Sequence, residues 1–466
     1  MKRLLISFAG VAALTLSGST SLIAAGALEG RWAATLVTQG VTIPFRLDIS
    51  GDGDTAVGTL YNGQDKELTT SASINDGKVQ LNFDHYQTTI VASVKDGELD
   101  GNVVISKRGA SRPGGALDEP ATASAAPAGP AGSGRAGGSG RAGGAGRAGA
   151  GRPAGGGSPF HAKRYVAPTV EAAANVPSID GVWEIPHDSN KGEKAWRLIV
   201  QQHGSDIETT ILRVDGDTGA LTGGWQDGKF VASHFDGARP GLLEITPQAD
   251  GTLKVLSEGS NRDGEMTAYR PEVARAKGFP EPANYQTHTT VRDPNEVFAF
   301  SFPDTNGKLI SNDDPQYKGK VVLAIGTGTW CPNCHDEAQY LVQLYAKYHA
   351  QGLEIVALDF EEPDQQKSLA RVNAFIKQYK VPYQYLIAGE PAEMWDKVPQ
   401  AVNLNTWPAT LFIGRDGRVK ATHAGFAAPG SGVFNQQLKD EFTSNIERLL
   451  NDKSGAPVAV ASKAGF

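Results

Sequence analysis

The chain has 466 residues, of which 40% are hydrophobic, and it carries a formal net charge of −7. This length predicts two to four domains, and the hydrophobic content is sufficient for globular cores. The acidic balance, with an isoelectric point of about 5.8, excludes nucleic acid as an expected partner of the whole protein, because binding to phosphates requires excess positive charge.

The N-terminus has the pattern of a secretory signal. Lys2 and Arg3 precede an apolar run over residues 4–16, and small residues at 25–27 form a cleavage site. The run is too short and too interrupted for a spanning helix, although an uncleaved anchor is the alternative. No cysteine follows it directly, which argues against a lipid anchor. We expect a signal peptide over 1–27 and a periplasmic or secreted mature protein without a membrane anchor.

Two segments of the chain, 28–107 and 179–270, resemble each other. Aromatic and turn residues recur at a constant offset of 151 residues: Trp32 and Trp183, Phe45 and Trp196, Gly77 and Gly228. Within each segment, short alternating runs are separated by Asp-Gly turns, which is typical of antiparallel strands joined by hairpins. The sequence therefore predicts two repeated small antiparallel β-barrel or sandwich domains, at 28–177 and 178–282.

A long biased segment interrupts the first of these domains. Residues 109–157 contain no Ile, Val, Met or aromatic residue, and Gly, Ala, Pro, Ser and Arg dominate. Such a segment cannot bury enough apolar surface to offset its ordering entropy, so we expect a disordered insertion. Because residues 159–164 resemble the end of the second repeat at 265–270, the insertion is predicted to interrupt the last hairpin of the first domain. A simple interdomain linker is the alternative.

The β-domains show no catalytic pattern. Their histidines have no recognisable ligand spacing: His85, His161, His187, His203 and His234. Four aromatic residues take equivalent places in the two repeats, which predicts core positions for Trp32, Phe45, Trp183 and Trp196. By exclusion, we expect these domains to present or recruit a partner.

The only two cysteines of the chain lie together, at Cys331 and Cys334. The residues before them, 320–325, form an apolar run bounded by glycines and predict a buried strand. The residues after them, 335–349, have helical spacing. The pair is therefore predicted at a strand-to-helix turn, where unpaired backbone N–H groups and the helix dipole favour a thiolate at Cys331. A thiolate is the nucleophile of disulfide exchange.

Three chemistries compete for this motif. A structural zinc site needs four ligands, and no second cysteine pair supplies them. Residues 331–335 spell C-x-x-C-H, the attachment pattern of c-type haem, which the local string alone does not reject. The buried strand before the pair and the β-α-β pattern around it favour dithiol–disulfide exchange, so no metal and no cofactor are expected.

Residues 290–452 resemble the thioredoxin superfamily, specifically its TlpA-like branch of periplasmic thiol–disulfide oxidoreductases. The resemblance rests on residues 298–308, 317–323, 330–334 and 406–413, followed by Asp-Gly at 416–417. It implies an α/β thioredoxin-like domain at 283–452, before a flexible tail at 453–466.

The resemblance also assigns the residues of a site. It implies a redox-active disulfide between Cys331 and Cys334, a cis-proline at Pro408 beside it, and a substrate groove formed with Trp330 and Trp407. An ordinary strand-entry proline is the alternative for Pro408.

Glu337 is the third expected catalytic residue. Relatives of the TlpA type often carry a glutamate three residues after the second cysteine, and Glu337 shares a helix face with Cys334. It is expected to accept the Cys334 proton, since the buried aspartate of thioredoxin is replaced here by Ile325. The alternative is that Glu337 only favours the early helix electrostatically. A peroxidase is not expected, because the threonine or serine and the proline of peroxidase relatives are replaced by Gly328 and Ala324.

The sequence as a whole predicts a thiol–disulfide oxidoreductase, of the reductase type, acting on protein thiols or disulfides through the Cys-Pro-Asn-Cys dithiol. The resemblance implies electrons from a membrane donor, and the oxidase direction stays open. One alternative is a partner-binding or assembly protein whose thioredoxin-like domain is a redox-sensitive docking surface. The other is a c-type haem protein, which would be coloured.

Overall fold

The structure is a computed structural model that describes residues 28–105, 157–167, 176–260 and 263–452. The predicted signal peptide at 1–27, the tail at 453–466 and all but the last residue of the predicted insertion at 109–157 lie outside the described residues. Two strand-rich units precede an α/β unit. No helix within the described ranges combines the length and the apolar character that crossing a bilayer requires.

The first unit is a nine-stranded antiparallel sheet with a barrel-like form, in which the strands follow the order 4-3-2-1-9-8-7-6-5. Its strands are β1 (Gly30–Thr38), β2 (Val41–Ser50), β3 (Val57–Asn62), β4 (Asp65–Leu68), β5 (Ser71–Asn75), β6 (Lys78–Phe83), β7 (Thr88–Lys95), β8 (Glu98–Ile105) and β9 (Ser158–Arg164). A bridge connects Ile74 of the edge strand β5 to Gly53, in the connection between β2 and β3.

Alternation and turn chemistry explain why these residues form hairpins. In β2, every second side chain from Ile43 to Ile49 is buried, so the strand turns one face to the core. Asp76 and Gly77 between β5 and β6 both have positive φ, 49° and 73°, which is the geometry of the two-residue turns that match the strand twist.

Strand β9 lies in the middle of this sheet, although 52 residues separate it from β8 in the chain. It pairs with β1 on one side and with β8 on the other, and Phe160 faces Leu36 and Gly101 across the two ladders. The residues on both sides of the biased segment therefore belong to one sheet.

This placement generates a stability prediction. Phe160 is 3% exposed, and its ring lies 6.2 Å from that of Phe45. Replacing Phe160 by Ala should lower the free energy of unfolding by about 3–5 kcal/mol, because a large buried side chain leaves a cavity. The matched variant Lys163→Ala, on the exposed face of the same strand, should stay within about 0.5 kcal/mol of wild type. Denaturant unfolding measures both, and equal stabilities would contradict the central position of β9.

The second unit is also an antiparallel sheet of nine strands. They are β10 (Gly181–Pro186), β11 (Ala195–His203), β12 (Asp206–Arg213), β13 (Gly216–Asp217), β14 (Leu221–Gln226), β15 (Lys229–His234), β16 (Gly241–Pro247), β17 (Leu253–Gly259) and β18 (Gly264–Ala268). A backbone bridge between Glu184 and Tyr269 brings the first strand to the end of the last one and gives the sheet a barrel-like form.

The two sheets share a local arrangement around a tryptophan. The indole N–H of Trp32 donates to the Leu28 carbonyl at 3.0 Å, and that of Trp183 donates to the Ile179 carbonyl at 2.8 Å. An arginine guanidinium covers each ring, at 4.3 Å in the first sheet and 3.8 Å in the second. These contacts explain why both tryptophans are buried in the cores, as their equivalent positions predict.

The third unit is the α/β domain, entered through α1 (Pro271–Ala276) and α2 (Tyr285–His288). Its five-stranded sheet has the order β24-β23-β22-β26-β27. Its strands are β19 (Thr290–Val291), β20 (Ser301–Pro303), β21 (Leu309–Ser311), β22 (Val321–Thr327), β23 (Leu353–Phe360), β24 (Gln384–Gly389), β25 (Ala401–Val402), β26 (Ala409–Ile413) and β27 (Val419–Ala424). Its helices are α3 (Pro332–Tyr348), α4 (Pro363–Ser368), α5 (Ala370–Tyr379), α6 (Met394–Lys397) and α7 (Val433–Asn451).

The strand and helix around the cysteines extend beyond the predicted runs. Strand β22 ends at Thr327 instead of residue 325, and α3 begins at Pro332 instead of residue 335. Proline is suited to the first position of a helix because its missing N–H would be unpaired there in any case. Three parallel strands, β22 to β24, and the two antiparallel strands β26 and β27 form the thioredoxin-like sheet.

The three units share apolar cores. Phe235 and Leu242 of the second sheet pack in the core of the first, and Phe235 meets Phe45 edge to face at 5.1 Å. Ile199 and Leu212 of the second sheet pack in a core of the α/β domain. Tyr86 of the first unit stacks on His335, and Arg239 of the second donates to Asn333, so the beginning of α3 lies where all three units meet.

Candidate active site

The two cysteines lie at the C-terminal edge of β22, where the chain turns into α3. Cys331 is the N-cap residue of α3, and Cys334 is in the first helical turn. Both are free thiols, and Cys331 Sγ lies 3.5 Å from the carbonyl oxygen of Trp407. The structure thus places the pair at the predicted strand-to-helix turn, in its dithiol form.

The environment distinguishes the two thiols. Burial raises the pKa of Cys334 well above its ordinary value, and its hydrogen bond with Cys331 acts in the same direction. The Thr327 hydroxyl and the Gly328 N–H favour the thiolate but do not outweigh burial. Cys334 therefore stays protonated at neutral pH, and its use as a nucleophile requires a base.

Glu337 is one turn away from Cys334, and its side chain is buried. Its Oε1 accepts a hydrogen bond from the Thr410 hydroxyl at 2.6 Å, and the residue is 1% exposed. Burial raises the pKa of Glu337 to about 8, although the Thr410 bond lowers it. Glu337 is thus a buried carboxyl group with a raised pKa, one helical turn from Cys334.

The raised pKa of Glu337 generates a prediction on stability. Because the folded protein binds this proton more tightly than the unfolded chain, stability falls as pH rises from 4.5 to about 8. Within that range the loss should be about 1.4 kcal/mol per pH unit. Glu337→Gln should remove this contribution to the pH dependence, whereas Glu296→Gln, at an exposed position, should leave it unchanged. Urea unfolding at several pH values measures the slope, and identical profiles for wild type and Glu337→Gln would contradict the assignment.

The three predicted groove residues surround Cys331. The Trp407–Pro408 peptide bond is cis, so Pro408 has the isomer that the resemblance implies. Trp330 and Trp407 meet edge to face with ring centroids 5.1 Å apart, and the Trp330 indole N–H donates to the Phe360 carbonyl at 2.8 Å. The structure brings these residues together with the dithiol.

His335, the histidine of the C-x-x-C-H string, is already engaged at both ring nitrogens. Its Nε2 lies 2.8 Å from the Thr329 carbonyl oxygen, and its Nδ1 lies 2.9 Å from the Tyr379 hydroxyl. Burial keeps its pKa well below the ordinary value, so the ring is neutral. It also stacks on Tyr86 at 4.1 Å. This packing does not fit a haem-iron ligand, because ligation would break one of the two bonds.

No group of three or more His, Cys, Asp or Glu residues suited to a metal ion occurs in the part of the chain that the structure describes. His85 contacts Glu67 at 3.2 Å, and His234 is buried. The metal alternative therefore finds no ligand set there.

A network of buried carboxylates lies beside the motif. The sequence gives no indication of it, apart from the adjacent Glu361 and Glu362 after an apolar strand. Arg371 donates to both carboxylates, and Glu361 accepts from the Thr329 N–H at 2.6 Å. Asp359 lies next to them, and its pKa is raised well above the ordinary value by burial and then by the charge of Glu361. This network fixes the loop that precedes Cys331.

The second sheet also contacts the motif, which the sequence does not reveal. Arg239 Nη1 donates to Asn333 Oδ1 at 2.7 Å, and Asn333 Nδ2 donates to the Asp215 carbonyl at 3.0 Å. Arg239 also pairs with Asp336 at 3.3 Å. The residues between and after the two cysteines are thus held by a strand-rich unit about a hundred residues earlier in the chain.

These features define a class of protein: a thioredoxin-like domain with a C-x-x-C dithiol at a helix N-terminus, next to a cis-proline. The model of the AhpC/TSA family matches residues 295–422. The thiol-disulfide oxidoreductase ResA of Bacillus thuringiensis subsp. konkukian is 33% identical over 141 residues, which cover 29% of this chain and 73% of that protein. ResA of Bacillus cereus is 35% identical over 122 residues, which cover 26% of this chain and 62% of that protein.

The comparison with solved structures also finds a similar protein. The thiol:disulfide interchange protein of Chlorobium tepidum, a thioredoxin family protein, is 21% identical, with a TM-score of 0.26, and the match covers 34% of this chain and 99% of that structure. Because of its similarity to ResA, the C-terminal part of this chain belongs to the thioredoxin-like thiol–disulfide oxidoreductases of the ResA type. The protein is therefore an enzyme of thiol–disulfide exchange.

Proposed function

We propose that this protein is a disulfide reductase that acts outside the cytoplasm. The observation that carries the proposal is the position of the Cys331 thiol at the helix N-terminus, against the Trp407 carbonyl and the cis-proline. The predicted signal at 1–27 supports an extracytoplasmic site. Electrons then come from a membrane donor of the thiol-relay type, as the resemblance implies.

The reaction uses both thiols in turn. The Cys331 thiolate attacks one sulfur of the substrate disulfide, a Cys331–substrate bond forms, and the other substrate sulfur leaves as a thiolate. Cys334 then loses its proton and attacks Cys331 Sγ, which releases the second substrate thiolate and forms the Cys331–Cys334 disulfide. The substrate gains two electrons, and the pair loses two. The donor returns the pair to the dithiol.

Glu337 is the proposed acceptor of the Cys334 proton. Its pKa of about 8 means that its basic form becomes more populated as pH rises through that value. Resolution of the mixed disulfide is therefore expected to accelerate across this range. Trp330, Trp407 and Pro408 form the groove that orients the substrate.

The two strand-rich units are proposed to be a duplicated module that presents or recruits the partner. The matching Trp32 and Trp183 contacts support a duplication, with domain limits at 28–177 and 178–282. The rival function, a binding or assembly protein with a redox-sensitive docking surface, uses the same modules. Reduction of a generic disulfide such as insulin favours the enzyme, and an inert cysteine pair favours the binder.

The order of the two thiols generates a prediction. Cys334→Ser should accumulate a mixed disulfide between Cys331 and a substrate, because the resolving thiol is missing. Cys331→Ser should trap at least about tenfold less, since burial raises the pKa of Cys334 and each pKa unit lowers its thiolate fraction tenfold. Non-reducing electrophoresis with mass spectrometry measures the adducts. Equal trapping by the two variants would show that the roles are wrongly assigned.

A further inference from the structure

A turn of the second sheet lies against the dithiol site. Residues 214–217 comprise the two-residue turn after β12 and the short strand β13. The Asp215 carbonyl accepts from Asn333 Nδ2 at 3.0 Å and from the Phe426 N–H at 3.3 Å. Gly216 forms a parallel bridge with Phe426. Because Gly425 donates its N–H to the Pro408 carbonyl at 2.8 Å, this contact lies directly beside the cis-proline. The Asp215 carbonyl thus connects the first turn of α3 to residues 425–426, the segment that is hydrogen-bonded to Pro408.

Glycines on both sides make this close approach possible. Gly216 has a φ of +116°, and a Cβ there would come within 2.2 Å of the Phe426 carbonyl oxygen and 2.8 Å of Asn333 Nδ2. On the other side, a Cβ at Gly425 would come within 2.2 Å of the Val214 carbonyl oxygen. Any side chain at either position would separate the two backbones.

Two buried charged residues fasten the turn. Asp217 Oδ2 accepts from the Ala428 N–H at 2.9 Å and from the Ser431 hydroxyl at 2.6 Å. Arg239 holds Asn333, as described above, and pairs with Asp236, whose pKa it lowers to about 2 against the opposing effect of burial. These bonds join the second sheet to the loop after β27 and to the helix that carries the cysteines.

We propose that residues 214–217 are a latch that determines substrate specificity: it keeps folded protein surfaces away from Cys331 and admits small disulfides or an extended segment of chain. This inference rests on the proposed function. With the latch closed, Cys331 is 5% exposed. A disulfide sulfur of the substrate has to reach Cys331 Sγ for attack. Because the turn occupies the side next to Pro408, it blocks the approach of a folded protein surface that carries this disulfide. Gly216, Asp217 and Arg239 are the specificity-determining residues.

The test compares how fast a small and a large thiol reagent reach Cys331. The reduced full-length protein is reacted with iodoacetamide and, separately, with a maleimide that carries a long polyethylene glycol chain, and mass spectrometry follows the modification of Cys331. Gly216→Ala separates the two backbones. Asp217→Asn keeps the size of the side chain but leaves one acceptor oxygen where the carboxylate has two, so the amide cannot accept from Gly219 on one side and from Ala428 and Ser431 on the other. Gly228→Ala is the matched control, because Gly228 also has positive φ, +82°, with no atom within 4 Å of an added Cβ.

The latch predicts a selective effect. Loss of one hydrogen bond to a charged acceptor costs about 1.5–3 kcal/mol, which corresponds to an increase of at least about tenfold in the open population. The ratio of large-reagent to small-reagent rates should rise by that factor in Gly216→Ala and Asp217→Asn and stay at the wild-type value in Gly228→Ala. The same two variants should gain insulin reduction relative to reduction of a small aromatic disulfide.

An unchanged ratio in Asp217→Asn, with its unfolding midpoint within a few degrees of wild type, overturns the latch. If Gly216→Ala lowers the unfolding midpoint by more than a few degrees, the labelling ratio of Asp217→Asn alone tests the latch. The labelling ratio does not depend on turnover. A wild-type protein that labels normally but reduces no disulfide contradicts the proposed function, whereas equal ratios in all variants contradict only the latch.

Discussion

The burial of one helical turn determines the chemistry of this protein. Residues 331–337 contain both cysteines and Glu337, and contacts from all three units keep water from most of their side chains. Burial raises the cost of a charge, so Cys334 and Glu337 hold their protons at neutral pH. Glu337, one helical turn from Cys334, is the proposed acceptor of the proton that leaves Cys334 during disulfide formation. In a turn open to solvent, burial would not raise the pKa of either group.

Two buried arginines pair with carboxylates around this helical turn and so offset the cost of burying those charges. Arg371 pairs with Glu361 and Glu362 behind the loop that leads to Cys331, and Arg239 pairs with Asp236 and donates to Asn333. Removing one partner of such a pair leaves an uncompensated buried charge, which is far more destabilising than the pair is stabilising. The strand-rich units are therefore part of the environment of the dithiol as well as candidate modules for a partner.

The sequence predicts the local features of this site and not its distant ones. Strand β22, the turn at Cys331 and the helix α3 follow from apolar runs, glycine boundaries and helical spacing within about thirty residues. The burial of Trp32 and Trp183 follows from their equivalent positions in two similar segments. By contrast, Arg239 and Asn333 are 94 residues apart, and Tyr86 is farther still from His335. Such contacts depend on how three units pack together, for which neither periodicity nor turn chemistry gives a signal. The C-terminal end of β22 and the N-terminal end of α3 lie two and three residues beyond the predicted runs, because apolar and helical spacing do not mark where an element ends.

The reduction potential of the Cys331–Cys334 couple tests the central claim most directly. Full-length protein is equilibrated with glutathione buffers of defined ratio, acid-quenched and alkylated, and the oxidised fraction is measured by mass spectrometry. A thiol–disulfide oxidoreductase should show one reversible two-electron transition, with a potential between about −270 and −120 mV. A pair that forms no intramolecular disulfide in any buffer, or that cannot be reduced again once it has formed, would contradict the account.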